Sequence, residues 1–144
     1  MISRAEWVAG LMLYVGTPYA HQGRLPGVAL DCVGPLICRA RECGIKAADF
    51  DVNGYSPTPD GSLQPILDSH LERKPRETLQ LGDVVLNAFR NTPPQHVAII
   101  VGEAYGEWMM LHAGSTVGRV QVERLPYDRR HYRFVQGYQV PGVA

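Results

Sequence analysis

The sequence predicts an α+β fold, with helices in the first half and an antiparallel β-sheet of about five or six strands in the second. Two observations carry this. Up to residue 73 the apolar residues recur three and four positions apart, whereas from residue 83 they gather in short runs punctuated by Gly, Pro and Asn. The later runs are joined by short connections, which suit antiparallel neighbours, and helices followed by a meander of strands define α+β. The 144 residues fit one domain, 1–144. A chain of that size buries roughly 68–70% of its unfolded surface, enough for a core.

Each element has its own signal. Trp7, Leu11 and Tyr14 recur at helical spacing, and Ser3 is a ready N-cap, so residues 3–15 read as the first helix with Trp7 in the core. Residues 16–30 are rich in Gly and Pro and read as a loop. CVGPLICRAREC (32–43) reads as a second helix closed by Gly44, with Pro35 in its opening turn. Val33, Leu36, Ile37, Ala40 and Cys43 form its apolar stripe; Cys43 is then a core thiol, and Cys38 falls off the stripe. DVNGYSPTPDG (51–61) is a second loop, and 62–73 a third helix. Strands are expected at 83–89, 96–102, 107–113, 119–125 and 132–140.

Composition excludes several function classes. The formal net charge is zero, so there is no electrostatic footprint for nucleic acid. The basic cluster Arg129, Arg130 and Arg133 also holds Asp128 and reads as a solvated loop. No stretch reaches the ~18 apolar residues of a membrane span. The apolar run at 8–16 follows Arg4, but Glu6 interrupts the charged region and no small-residue cleavage site follows. A soluble chain made without a Sec signal is expected. Three cysteines, with no C-x-x-C pair, argue against both a disulfide framework and a zinc site, and no metal or cofactor is expected.

The chemistry centres on Cys32. A cysteine where a loop enters a helix sits at the positive end of the helix dipole, which favours thiolate, and free backbone N–H groups there can receive an oxyanion. A small buried hydrophobe is the competing reading. Asp31 reads as a structural cap. Two histidines shift the balance. His96 opens one strand and His112 lies near the end of the next, across the turn GEAYG (102–106). A hairpin centred on Ala104 sets them directly opposite on one face, with Cβ atoms roughly 4.5–5.5 Å apart. One imidazole could then hold the other in a fixed tautomer, as a nucleophile–base pair requires of its third member.

The blocks GTPYAHQGRLPGVALDCVGPLICRA (16–40), LGDVVL (81–86), HVAIIVG (96–102) and MLHAG (110–114) together resemble the NlpC superfamily of bacterial cell-wall cysteine peptidases. The resemblance implies a papain-like fold and a Cys32–His96–His112 catalytic triad. Tyr19 would lie beside the nucleophile and help Cys32 shape the oxyanion site, and Asp31 and Gly34 would be structural neighbours of the site. It implies no cofactor, and as substrate a peptidoglycan stem peptide, cut at a γ-D-glutamyl–diamino acid bond. Val33 stands where the family usually has Ser, Leu81 where it has Pro, and His21-Gln22 where it has aromatic-Gly. TPYAHQGR, the Cys-Val-Gly start and YSPTPDG look most like stand-alone members encoded with phage tail genes. That implies phage tail proteins as partners, and a location in the virion tail acting on the cell wall. Two other readings share the fold: a tail-assembly protein that does not need the activity, and an amide hydrolase or acyltransferase with another substrate. His70 and His131 match no motif and are expected at the surface.

Overall fold

A computed structural model describes residues 1–51, 55–124 and 131–144. Helix α1 is Arg4–Met12, and Ser3 caps it as expected, its Oγ accepting from the Glu6 N–H at 3.1 Å. The short strands β1 (Arg24–Leu25) and β2 (Ala29–Leu30) form a two-stranded hairpin within the segment expected to be loop; two-residue strands leave no periodic signal. Helix α2 is Gly34–Glu42 and α3 is Leu63–His70. The third helix is shorter than expected. At Leu71 the chain turns extended and forms β3 (Glu72–Lys74), which pairs with the last strand.

The remaining strands are β4 (Val84–Phe89), β5 (His96–Ala104), β6 (Glu107–Ala113), β7 (Val120–Glu123) and β8 (Tyr132–Gln139). With β3 they make a six-stranded antiparallel sheet in the order β3-β8-β4-β5-β6-β7. Helices first and sheet afterwards is the predicted α+β class.

The sheet is apolar on both faces. On one, Val84, Leu86, Val97, Ile99 and Leu111 join Trp7, Leu11, Leu36, Ile37, Leu63 and Leu67 of the helices. On the other, Val85, Ala98, Ile100 and Met110 gather with Leu79, flanked by Trp108, Tyr132 and Phe134. Burial on both sides explains why VAII (97–100) is continuously apolar rather than alternating.

Two expectations need correction. The β5–β6 turn is Tyr105-Gly106, not a loop centred on Ala104: Ala104 pairs with Glu107, and both turn residues have positive φ (54° and 76°), as a two-residue type I′ connection demands. A bulge between Ile100 and Gly102 then shifts the register, so His112 lies opposite Ala98, not His96. The thiols are also exchanged. Cys38 is buried and Cys43 is only partly so. The β1–β2 segment folds over α2 on the side of Cys38, whose thiol donates to the Arg24 carbonyl at 3.4 Å, while Cys43 caps the helix end. His70 and His131 are exposed. Of the basic cluster, Arg133 is exposed on β8, while Arg129 and Arg130 lie outside the described residues, as do 52–54 of the second loop.

Candidate active site

Cys32 sits between β2 and the first turn of α2, and Asp31 fixes it there. The Asp31 carboxylate is buried and accepts from the N–H groups of Val33 (3.2 Å) and Gly34 (2.9 Å), the capping role expected of it. It also takes the Gln22 N–H (3.0 Å), Arg24 Nη1 (2.8 Å) and the Tyr55 hydroxyl, so it ties the preceding loop to the helix start. Burial raises the Asp31 carboxyl, with Arg24 and the backbone donors opposing. Gly34 has a steric reason. A Cβ there would lie 2.9 Å from both the Gly23 carbonyl oxygen and Leu30 Cδ2, too close for any side chain.

The start of β5 is brought to the same place. The Cys32 thiol contacts the carbonyl of Gln95, one residue before His96, at 3.5 Å. The Gln95 side chain accepts from the Leu63 N–H and donates to Ser62 Oγ, which pins the strand to the start of α3. His96 and His112, displaced by two residues, still share a face. The diagonal of an antiparallel ladder is within reach of two imidazoles. Their rings meet edge to face with centroids 5.1 Å apart, and His96 Nε2 lies 3.0 Å from His112 Nδ1. That contact leaves Nδ1 of His96 for another partner.

Tyr19 is half-buried, joined to Leu30 by a bridge beside the Cys32 segment, and its N–H donates to Gly118. Burial raises its phenol, and the nearby Cys32 and Asp31 charges raise it further. Two neighbours carried no sequence signal. Tyr132 of β8 stacks on His96 at 5.3 Å, and Glu123 of β7 places Oε1 2.7 Å from His112 Nε2. Tyr132 belongs to no motif. Glu123 emerges only once the β6–β7 register is known, since its partner Met110 shares a face with His112.

The electrostatics favour neutral groups at rest. Burial pushes the Cys32 thiol up to about 12, and the Asp31 charge adds to this, while the Val97 N–H works in the thiolate's favour. Burial holds His96 down at about 3, with His112 contributing. His112 is lowered by burial against the pull of Glu123. The directions of these shifts favour a neutral thiol at Cys32 and neutral imidazoles at His96 and His112 over a standing ion pair.

The class this architecture defines is the papain-like NlpC/p60 fold. Among solved structures the chain is similar to the NlpC/p60 domain of the peptidoglycan hydrolase SagA (21% identity, TM-score 0.63, 94% of this chain and 97% of that one). It is similar also to an NlpC/p60 family protein from Bacillus cereus (18%, TM-score 0.68, 95% and 40%). A third is the peptidoglycan hydrolase RipB from Mycobacterium tuberculosis (18%, TM-score 0.58, 95% and 64%). The chain thus spans nearly all of the SagA domain but less than two thirds of the other two. No protein-family model matches the sequence. No curated protein matches it either.

Proposed function

We propose that the chain is a cysteine peptidase that hydrolyses peptidoglycan stem peptides at a γ-D-glutamyl–diamino acid bond. The observation that carries this is the hydrogen-bonded His96–His112 pair set beside a cysteine at a helix start, on a fold shared with peptidoglycan hydrolases. Cys32 is the nucleophile, His96 the base and His112 the residue that orients it. Cys32 Sγ attacks the carbonyl carbon as its proton passes to His96 Nδ1. The backbone N–H of Cys32, with the Tyr19 hydroxyl, stabilises the tetrahedral oxyanion. His96 returns the proton to the leaving amine, and water, deprotonated by His96, hydrolyses the thioester.

Association with a phage tail is part of this reading, supported by TPYAHQGR and YSPTPDG in the two loops. The test of the reaction is digestion of purified peptidoglycan followed by mass spectrometry. Release of a dipeptide or tripeptide cut between D-glutamate and the diamino acid is expected. Release of nothing, or activity confined to another amide, would overturn it.

A further inference from the structure

The histidine pair does not end at His112. His112 is 1% exposed, and both its ring nitrogens are engaged, Nδ1 with His96 at 3.0 Å and Nε2 with Glu123 Oε1 at 2.7 Å. Glu123 belongs to β7, where the register sets it opposite Met110 and Gln121 opposite His112. Its side chain is 43% exposed, so the carboxylate stands at the solvent edge and reaches in to a wholly buried imidazole.

A carboxylate only accepts hydrogen bonds, and a neutral imidazole carries one N–H. His112 must therefore hold its proton on Nε2 and present a bare Nδ1. That nitrogen can only accept, so His96 must donate from Nε2. A neutral His96 then has a bare Nδ1, the form a base needs to receive a thiol proton. Each step follows from the one before, and among the described residues the relay ends on Glu123.

We propose that Glu123 is a positioning residue for this site, which sets the tautomers of His112 and, through it, of His96, so that the chain acts through a Cys32–His96–His112–Glu123 relay. The inference rests on the reading of Cys32 and His96 as nucleophile and base. In the attack the S–H bond breaks, the sulfur electron pair forms the bond to carbon as the C=O π pair moves onto oxygen, and the proton moves to His96 Nδ1. The resulting imidazolium charge is shared with a partner whose far nitrogen faces a carboxylate. Burial opposes that cation on both rings, and Glu123 opposes the burial at His112. The titratable groups around the pair are Cys32 from the start of α2, Glu123 from β7 and the Tyr132 phenol from β8, which lies on His96.

The experiment is long-range 1H–15N correlation spectroscopy of the ¹⁵N-histidine-labelled protein, paired with the pH dependence of Cys32 alkylation by iodoacetamide; neither needs a substrate. Wild type should show both His96 and His112 protonated at Nε2 at neutral pH. Glu123→Gln offers His112 a donor as well as an acceptor, so it should mix the tautomers. It should slow Cys32 alkylation near neutral pH by about 10-fold or more, by analogy with the ~10–100-fold cost of removing the outer partner of a metal-bound histidine. Glu123→Asp should restore part of the rate. Wild-type His112 protonated at Nδ1 would overturn the proposal, as would a Glu123→Gln protein with unchanged tautomers or an unchanged alkylation profile. Expected tautomers in a protein inert on peptidoglycan would support this inference and count against the substrate reading alone.

Discussion

Burial favours the uncharged form of both Cys32 and His96, so under the proposed function the reactivity of the thiol would depend on His96 as its base. Cys43, at the far end of the same helix and partly exposed, provides an internal control. Iodoacetamide should label Cys32 faster than Cys38 or Cys43. In His96→Asn the Cys32 rate should collapse while that of Cys43 stays. Peptide mapping after timed alkylation checks this, and equal loss at both cysteines would point to a general change in fold. The two histidines should also differ in severity. A base must take up and return a proton, which no amide can do, whereas the orienting residue only accepts from His96 Nε2, which an amide oxygen can do. His112→Gln should keep measurable activity, and His96→Asn should be as inactive as Cys32→Ala, with thermal melts confirming that each variant is folded. The places of Cys32, His96 and His112 in the fold were legible because each is tied to a local signal: a loop-to-helix junction, a strand start, a strand end. Glu123 and Tyr132 were not, because their contacts depend on pairing between strands that sequence spacing does not encode.

At the scale of elements, the hairpin β5–β6 shows what the sequence leaves open. Its strand boundaries at His96, Glu107 and Ala113 follow from the pattern, but the register does not. A strand buried on both faces has no alternation to betray a one-residue shift, and the bulge at Val101 is invisible for that reason. The histidines meet because a shift of two residues keeps them on the same face. The exchange of Cys38 and Cys43 has a similar origin: an apolar stripe shows which side of a helix meets the main core, not where a nearby loop will fold over it. That loop depends on Gly34. Gly34→Ala would drive a Cβ against the Gly23 carbonyl and Leu30, and should destabilise the fold by about 1–3 kcal/mol, the scale of overpacking. Denaturant melts measure this, and the β1–β2 segment would have to shift away from Cys32. A Gly34→Ala protein of unchanged stability would show that the approach is looser than described.

Over the whole molecule, the lowered histidines link stability to pH. His96 is held near 3 in the folded state against 6.5 for the free side chain, so below about 6.5 the unfolded chain binds a proton that the folded chain refuses. Its contribution is present above that pH and is lost as pH falls towards about 3. His112, also lowered, acts in the same direction. Asp31, raised by burial, acts in the opposite one. The melting temperature should therefore decline between pH 6.5 and 4 in wild type and decline less in His96→Gln, and parallel curves for the two proteins would remove His96 as the cause. The α+β order and the main strands were legible from periodicity alone, since a switch from helical to strand spacing survives any error in register. Strand order was not, since β3 and β8 pair across nearly half of the chain's length.

If Cys32 carries the acyl group of a stem peptide during turnover, intact-protein mass spectrometry of the quenched reaction should find an adduct with the mass of the acyl half of the substrate. That adduct should map to Cys32 and be absent from Cys32→Ala and His96→Asn. An adduct on Cys43, or hydrolysis that persists in Cys32→Ala, would contradict it.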